Sequence, residues 1–266
     1  KTNCSDLRKF TRGFFQWFCK YADLVKTCSE NGRFLHEQFE LAFNNFVREN
    51  TVISKLLAKA SHQTICDRTV DSAKSEKILE IIVKIYGYIR DKDVFDHAYQ
   101  LLLQDRLLRK KISSKHLERK MISSLKAEAG YQWPRQLEGM FEDANLSRTL
   151  TKEFNSEWNP DKTKDLEFSI TICRHGQWPN SSYAPSKTPP ELKDVADNFR
   201  KFYISRYRER AIQWRMDMGE AEVQVKFNPR TTVRLAVSPY QMCILLCFNR
   251  EKIITYGKIL DMTGLK

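Results

Sequence analysis

The side chains that most often carry chemistry are scattered along this 266-residue sequence and form no recognisable motif. Cys243 and Cys247 stand four residues apart, a spacing that would place both thiols on one face of a helix. Two thiolates without a third or fourth ligand rarely hold zinc, so this pair is better explained as buried apolar cysteines. The histidines have no metal-ligand spacing among themselves or with the cysteines: His36, His62, His97, His116 and His175. We expect no metal site.

Carboxylate pairs and nucleophile motifs also give no candidate active site. Two pairs, Asp91 with Asp93 and Glu142 with Asp143, suit helix starts and surface positions better than catalytic dyads. The sequence contains no glycine-rich phosphate loop, no HExxH helix and no GxSxG turn. We therefore predict no catalytic residue and no cofactor, which favours a binding or structural protein over an enzyme.

The chain is basic, with a formal net charge of +12, and its positive side chains concentrate in two runs. Residues 105–126 contain eight Lys or Arg and two acidic side chains, and residues 200–215 contain six and one. Such runs most often form the solvated face of a helix. They also suit an acidic protein partner or nucleic acid.

Composition limits the class of protein. Hydrophobic residues make up 41% of the chain, enough for a substantial core, and no apolar run approaches the roughly 20 residues of a membrane span. The first ten residues lack the apolar core of a signal peptide. The seven cysteines are an odd number without a CxxC pair, which is typical of reduced thiols. We expect a soluble protein of the cytoplasm and nucleus.

The first 155 residues repeat apolar side chains at spacings of three and four, which is typical of amphipathic helices that pack together. Phe14, Trp17 and Phe18 belong to one such stripe, and Ile82 and Ile85 belong to another. We therefore predict a helical bundle over residues 1–155.

The pattern changes after residues 156–165, which lose the periodicity and contain Asn159-Pro160. Alternating apolar and polar side chains then predict a strand at 166–172 and an antiparallel meander of three strands at 212–218, 221–227 and 233–237. Capping boxes at Thr188 and Ser238 predict two helices that cover one face of the sheet. The predicted fold is thus α+β: an N-terminal helical bundle, an α/β domain with an antiparallel sheet over 156–249, and a short helix within 250–266.

Five motifs, in this order, carry a resemblance to a known family. Asp91–Phe95 reads DKDVF, Met121–Gly130 reads MISSLKAEAG, and Leu137–Ser147 reads LEGMFEDANLS. A Gly-x-Trp-Pro turn follows at Gly176–Pro179, and Phe202–Arg206 reads FYISR. These motifs resemble the C-terminal region of the cullins, namely the helical bundle and the α/β cullin-homology domain.

Cullins are scaffolds of multi-subunit ubiquitin ligases, so the resemblance implies a non-catalytic scaffold subunit. In the family, an Rbx-type RING protein threads its N-terminal strand into the sheet, and the complex positions a ubiquitin-conjugating enzyme for substrate ubiquitination. The resemblance implies both partners and a role in ubiquitin-dependent protein catabolism, without membrane or nucleic-acid binding. Residues 250–266 resemble the start of a winged-helix segment that we expect to be truncated here. Other ligase subunits would bind through regions outside this sequence.

The resemblance also implies two sets of site residues. The first set would grip the RING protein through the predicted strands and the Gly-x-Trp-Pro turn: Leu166, Phe168, Ile170, Ile172, Trp178, Trp214, Met216, Val223, Val225, Val233 and Leu235. The second set would form a basic surface for the conjugating enzyme: Arg106, Arg109, Lys110, Lys111, Arg206, Arg208 and Arg210.

The loop at Tyr207–Arg210 departs from the family's usual His-x-Gly-Arg, which affects any partner contact that this loop makes. Two alternative interpretations of the whole chain also stay open. A cullin-like subunit of the APC type, with a different RING partner, would share most of these motifs. A basic nucleic-acid-binding protein would instead bind with an affinity that falls steeply with salt, and would need no RING partner.

Overall fold

A computed structural model describes residues 4–27, 32–50, 52–109, 114–129, 132–158, 167–179, 186–228 and 231–265. These residues form α-helices and one antiparallel sheet, which confirms the predicted α+β class. The chain divides into two compact units, a bundle unit of residues 1–142 with 173–179 and a sheet unit of residues 143–172 with 180–266. The domain boundaries placed at 155/156 and 249/250 remain predictions.

The bundle unit is built from amphipathic helices. They are α1 (Cys4–Thr27), α2 (Gly32–Glu49), α3 (Val52–Cys66), α4 (Ser72–Tyr88), α5 (Lys92–Leu108), α6 (Lys115–Ala129) and the first part of α7 (Gln132–Glu157). Helix α3 packs against α4 and α5, and α4 also packs against α6. Ile82 and Ile85 are fully buried, as the spacing of apolar residues predicts.

Aromatic side chains connect α1, α2 and α4. Phe43 is 1% exposed, and its ring centroid lies 4.8 Å from that of Phe18 and 5.3 Å from that of Tyr88. Trp17 belongs to the same apolar stripe of α1, yet 41% of its surface is exposed. The stripe thus predicts the helix correctly but does not tell which of its members are buried.

The core of the sheet unit forms where the last part of α7 packs against α8 (Pro190–Arg206). The Phe154 ring of α7 makes edge-to-face contacts with the rings of Phe199 and Phe202, and the centroid distances are 5.3 and 5.4 Å. Helix α8 has Pro189 at its N-cap and no side-chain hydrogen bond there. The capping box predicted at Thr188 is therefore wrong, although the helix itself is confirmed.

The sheet consists of β1 (Ala221–Asn228) and β2 (Thr231–Val237), which pair antiparallel with an irregularity between Lys226 and Asn228. Helices α9 (Pro239–Cys247) and α10 (Tyr256–Thr263) follow. The capping box at Ser238 is confirmed, because its Oγ accepts from the Gln241 N–H at 3.2 Å and the Gln241 side chain accepts from the Ser238 N–H at 2.9 Å.

The strand predicted at 166–172 is wrong within the described part, because residues 167–172 belong to no sheet. Side chains of α7 bind this segment instead. The Ile170 N–H and carbonyl are both hydrogen-bonded to the Thr151 hydroxyl, at 3.3 and 3.2 Å, and the Ile172 N–H donates to Ser147 Oγ at 2.8 Å. The alternating pattern identified a half-buried segment, not its hydrogen-bonding partners.

The strand predicted at 212–218 is also wrong, so the described sheet has two strands rather than three. The Arg215 guanidinium donates to the Asp217 carboxylate at 2.8 and 2.7 Å. These two residues are two positions apart, and the chain turns at this point. The alternation of apolar and polar side chains at 212–218 therefore does not mark a strand.

Candidate partner-binding site

Four of the predicted RING-binding residues form an apolar face of the β1–β2 hairpin. Val223 is paired with Leu235, and Val225 with Val233, so all four side chains lie on the same side of the sheet. Val233 is 37% exposed, and the other three are half-buried. Helix α9 contacts β1. The described residues of the sheet unit thus cover this face only in part.

A second group of predicted residues packs on the α7–α8 core. Phe168, Ile170 and Ile172 are half-buried against it, as is Trp214, whose ring centroid lies 6.1 Å from that of Phe199. These side chains therefore have a structural role inside the sheet unit.

Two residues that hold this segment, Ser147 and Thr151, were not predicted. They lie one turn apart on α7, next to the buried Leu150. Ser147 is 3% exposed, and its hydroxyl also donates to the Asp143 carbonyl at 2.6 Å. In the sequence, their role is indicated only by the spacing of two hydroxyl side chains four residues apart within an apolar helix face.

The remaining predicted RING-binding residues lie elsewhere. Trp178 is 6% exposed and belongs to the bundle unit, in a turn where Gly176 adopts a φ of +81°. Met216 is half-buried in the turn that follows Arg215. Leu166 lies outside the described residues.

The prediction that Arg106 belongs to a basic surface is wrong, because this side chain is fully buried in the bundle unit. Its guanidinium donates two hydrogen bonds of 2.8 Å to the Glu118 carboxylate, which also accepts a hydrogen bond from the Tyr99 hydroxyl at 2.8 Å. Burial alone would lower the pKa of Arg106, but the Glu118 carboxylate holds it above its ordinary value. Arg106 also donates to His62 Nδ1 at 3.1 Å, so that nitrogen carries no proton.

Other members of the predicted basic surface are paired with acidic groups. Arg109 contacts the Asp105 carboxylate at 2.6 Å. Arg206 binds both Glu153 and Glu157 of α7. These carboxylates offset the positive charge that the sequence runs suggest. Lys110 and Lys111 lie outside the described residues.

The loop that departs from the family pattern is held by an arginine and two tyrosines. The rings of Tyr203 and Tyr207 have centroids 4.8 Å apart, and the Arg210 guanidinium lies 4.6 Å from the Tyr207 ring centroid. Arg210 also donates to the Tyr203 hydroxyl at 3.1 Å. Tyr207, which stands where the family has histidine, and Arg210, which matches the family's arginine, therefore stabilise the end of α8, while Arg208 between them is exposed.

The described His, Cys, Asp and Glu side chains do not gather into a metal centre. No three of them form a group that would hold a metal ion. Burial raises the pKa of Asp96 to about 6, but its described polar contact is the Tyr86 hydroxyl, which donates to it at 3.1 Å. The described helices also include none that is long and apolar enough to cross a membrane.

Comparison with known proteins agrees with the motifs. The family model described as "Cullin alpha solenoid domain" matches residues 3–151, and the one described as "Cullin alpha+beta domain" matches residues 172–266. Cullin-3 of Dictyostelium discoideum is 31% identical over 249 residues, which are 92% of this chain and 32% of that protein. Cullin-1 of Schizosaccharomyces pombe is 30% identical over 257 residues, 91% of this chain and 33% of that protein.

A third relative, cullin-4A of Mus musculus, is 30% identical over 254 residues, 93% of this chain and 33% of that protein. The chain thus spans about one third of the length of the curated relatives that it matches. Because the two family models together cover most of its length in the same order as the helical and sheet units, the chain belongs to the cullin family.

Proposed function

We propose that this chain is a non-catalytic scaffold part of a cullin-RING ubiquitin ligase, and that its sheet unit binds the N-terminal strand of an Rbx-type RING protein. The observation that carries the proposal is the small open sheet. The hairpin has an apolar face that is partly exposed at Val233, and β1 and β2 pair only with each other among the described residues.

An added strand would extend the sheet formed by β1 and β2. Extended chains bind to sheet edges through main-chain hydrogen bonds, while alternate side chains enter apolar surface on one face. The face formed by Val223, Val225, Val233 and Leu235 offers such surface. The bound RING protein would then position the ubiquitin-conjugating enzyme, and the role of Arg208 and the other exposed basic residues in attracting that enzyme stays a prediction.

Nucleic-acid binding is the weaker candidate. Among the basic residues singled out in the sequence, Arg106 is buried and Arg206 is paired with two carboxylates, so neither offers a charge for phosphate. Location in the cytoplasm and nucleus remains a prediction that follows from the proposed ligase role.

The test is co-expression with an Rbx-type RING protein, followed by size-exclusion chromatography and a zinc assay on the eluted peak. We expect a zinc-containing complex. Val233→Asp should weaken binding by more than about tenfold, because it places a charge in the apolar contact. Since Val233 is 37% exposed, the variant should still fold, which circular dichroism checks.

Thr232→Asp is the matched control, because the neighbouring residue on β2 points to the opposite face and is exposed. It should bind like the unmodified chain. Elution of the chain alone and free of zinc would overturn the proposed function. A complex that tolerates Val233→Asp as well as Thr232→Asp would show that the hairpin face is not the docking surface.

A further inference from the structure

Strand β1 has one open edge. Among the described residues it pairs only with β2, so the main-chain N–H and C=O groups on its other edge bond to no strand there. Helix α9 contacts β1, yet the side chains of Glu222, Gln224 and Lys226 are exposed, so the described residues leave the polar side of the strand uncovered. Open edges of this kind pair with other extended chains through main-chain hydrogen bonds.

The charges of β1 are placed symmetrically about its middle. Glu222 lies two residues before Gln224, and Lys226 lies two residues after it. These three side chains share the polar face of the strand, because successive side chains point to opposite sides, and Val223 and Val225 share the apolar face. The ladder with β2 is regular as far as Lys226, so this symmetric stretch lies within the regular part of the strand.

Antiparallel pairing of two copies of β1 would match these charges. If Gln224 of one copy lies opposite Gln224 of the other, Glu222 lies opposite the second copy's Lys226, and the two-fold axis repeats this contact. Val223 then lies opposite Val225, which continues the apolar face across both copies. Opposite residues in this register are an even number of positions apart in the sequence, so main-chain groups that point to the shared edge meet groups that also point to it.

The outer edge of β2 lacks this complementarity. Its sequence is TTVRLAV, so Arg234 is the only charged side chain of the strand. Two copies of β2 therefore form no opposite-charge pair in any register, and pairing about Arg234 would set two like charges opposite each other, which is destabilising. The edge of β1 is the better fit for a second copy.

We propose that β1 binds β1 of a second copy of this chain, so that two hairpins form one four-stranded antiparallel sheet about a two-fold axis at Gln224. Isolated two-stranded hairpins are marginally stable in water, whereas more strands with a shared apolar face stabilise one another. A two-fold interface needs one self-complementary surface, and the opposite charges of Glu222 and Lys226 provide it. This pairing is independent of the proposed function, because it needs no RING protein.

The experiment is sedimentation equilibrium of the chain over a wide range of concentrations, without a RING protein. We expect a reversible monomer–dimer equilibrium. Glu222→Lys or Lys226→Glu should each weaken dimerisation by about tenfold, because each replaces two attractive contacts with two repulsive ones. An equal mixture of the two variants should dimerise like the unmodified chain, because one partner then carries lysine at both positions and the other carries glutamate at both.

Arg234→Gln is the matched control. Arg234 lies 3.7 Å from Glu222 in the same chain, and both side chains are more than half exposed, so this variant removes the intrachain contact and should change dimerisation by less than about twofold. Circular dichroism checks that each variant is folded. A chain that stays monomeric at all concentrations overturns the proposal, as does a dimer that tolerates both charge reversals or a mixture that dimerises no better than either variant alone. A stronger dimer in Arg234→Gln would place the contact at β2 instead.

Discussion

Arg106 and Glu118 form a buried ion pair inside a basic run whose other described members reach the surface. Both side chains are fully buried in the bundle unit, and the Tyr99 hydroxyl completes the network. Glu118→Gln would leave the Arg106 charge buried without a counter-charge. We expect the free energy of unfolding to fall by about 3 kcal/mol or more, measured by urea unfolding.

Glu142→Gln provides the control for this prediction. Glu142 pairs with Arg174 at 3.1 Å, but its side chain is 72% exposed, so solvent screens the interaction and the same substitution should have little effect. Equal losses of stability in the two variants would contradict the assignment of Arg106 and Glu118 as a buried, mutually dependent pair.

At the scale of elements, α7 depends on a glycine where another segment passes close to it. A Cβ at Gly139 would lie 1.9 Å from Gln177 Oε1 and 2.5 Å from its Cδ. The loop that carries Gln177 is held in place, because its carbonyl accepts from Gln100 at 3.1 Å and Arg174 donates to the Gly139 carbonyl. Gly139→Ala should therefore lower the unfolding free energy only slightly, by less than about 1 kcal/mol, because the overlapping atoms are the end of the flexible Gln177 side chain and alanine has the better helix propensity.

The double variant Gly139→Ala/Gln177→Ala isolates the cause of that loss. Removing the Gln177 side chain relieves the overlap, so the pair should recover most of the stability lost by Gly139→Ala alone, measured by thermal unfolding. Simple addition of the two separate losses would argue that the close approach is not what requires glycine here.

The elements also show how far the sequence predicts this fold. Periodicity of three and four predicted the helices, and the Ser238 capping box predicted the start of α9, because both depend on residues close in sequence. The strands at 166–172 and 212–218 were predicted from alternation, which reports a half-buried chain but not a neighbouring strand. Arg106 was placed on the surface because its partner, Glu118, lies on another helix.

At the scale of the whole molecule, the two units differ in how their main-chain N–H and C=O groups are hydrogen-bonded. The described bundle unit consists mainly of helices, whose hydrogen bonds are internal to each helix. The sheet unit has a two-stranded hairpin, and isolated two-stranded hairpins are marginally stable in water. The sheet unit is therefore the part that gains most from an added strand, which is consistent with the proposed docking.

Hydrogen exchange with and without an Rbx-type RING protein tests this difference along the whole chain. We expect amide protection to rise in β2, because a bound strand would engage main-chain N–H groups of this strand that exchange through local opening in the free chain. Helices α3 to α6 should change little, since their amides are already bonded within each helix, and they serve as the internal control. Protection that rises only in these helices when the complex forms would move the docking site to the bundle unit.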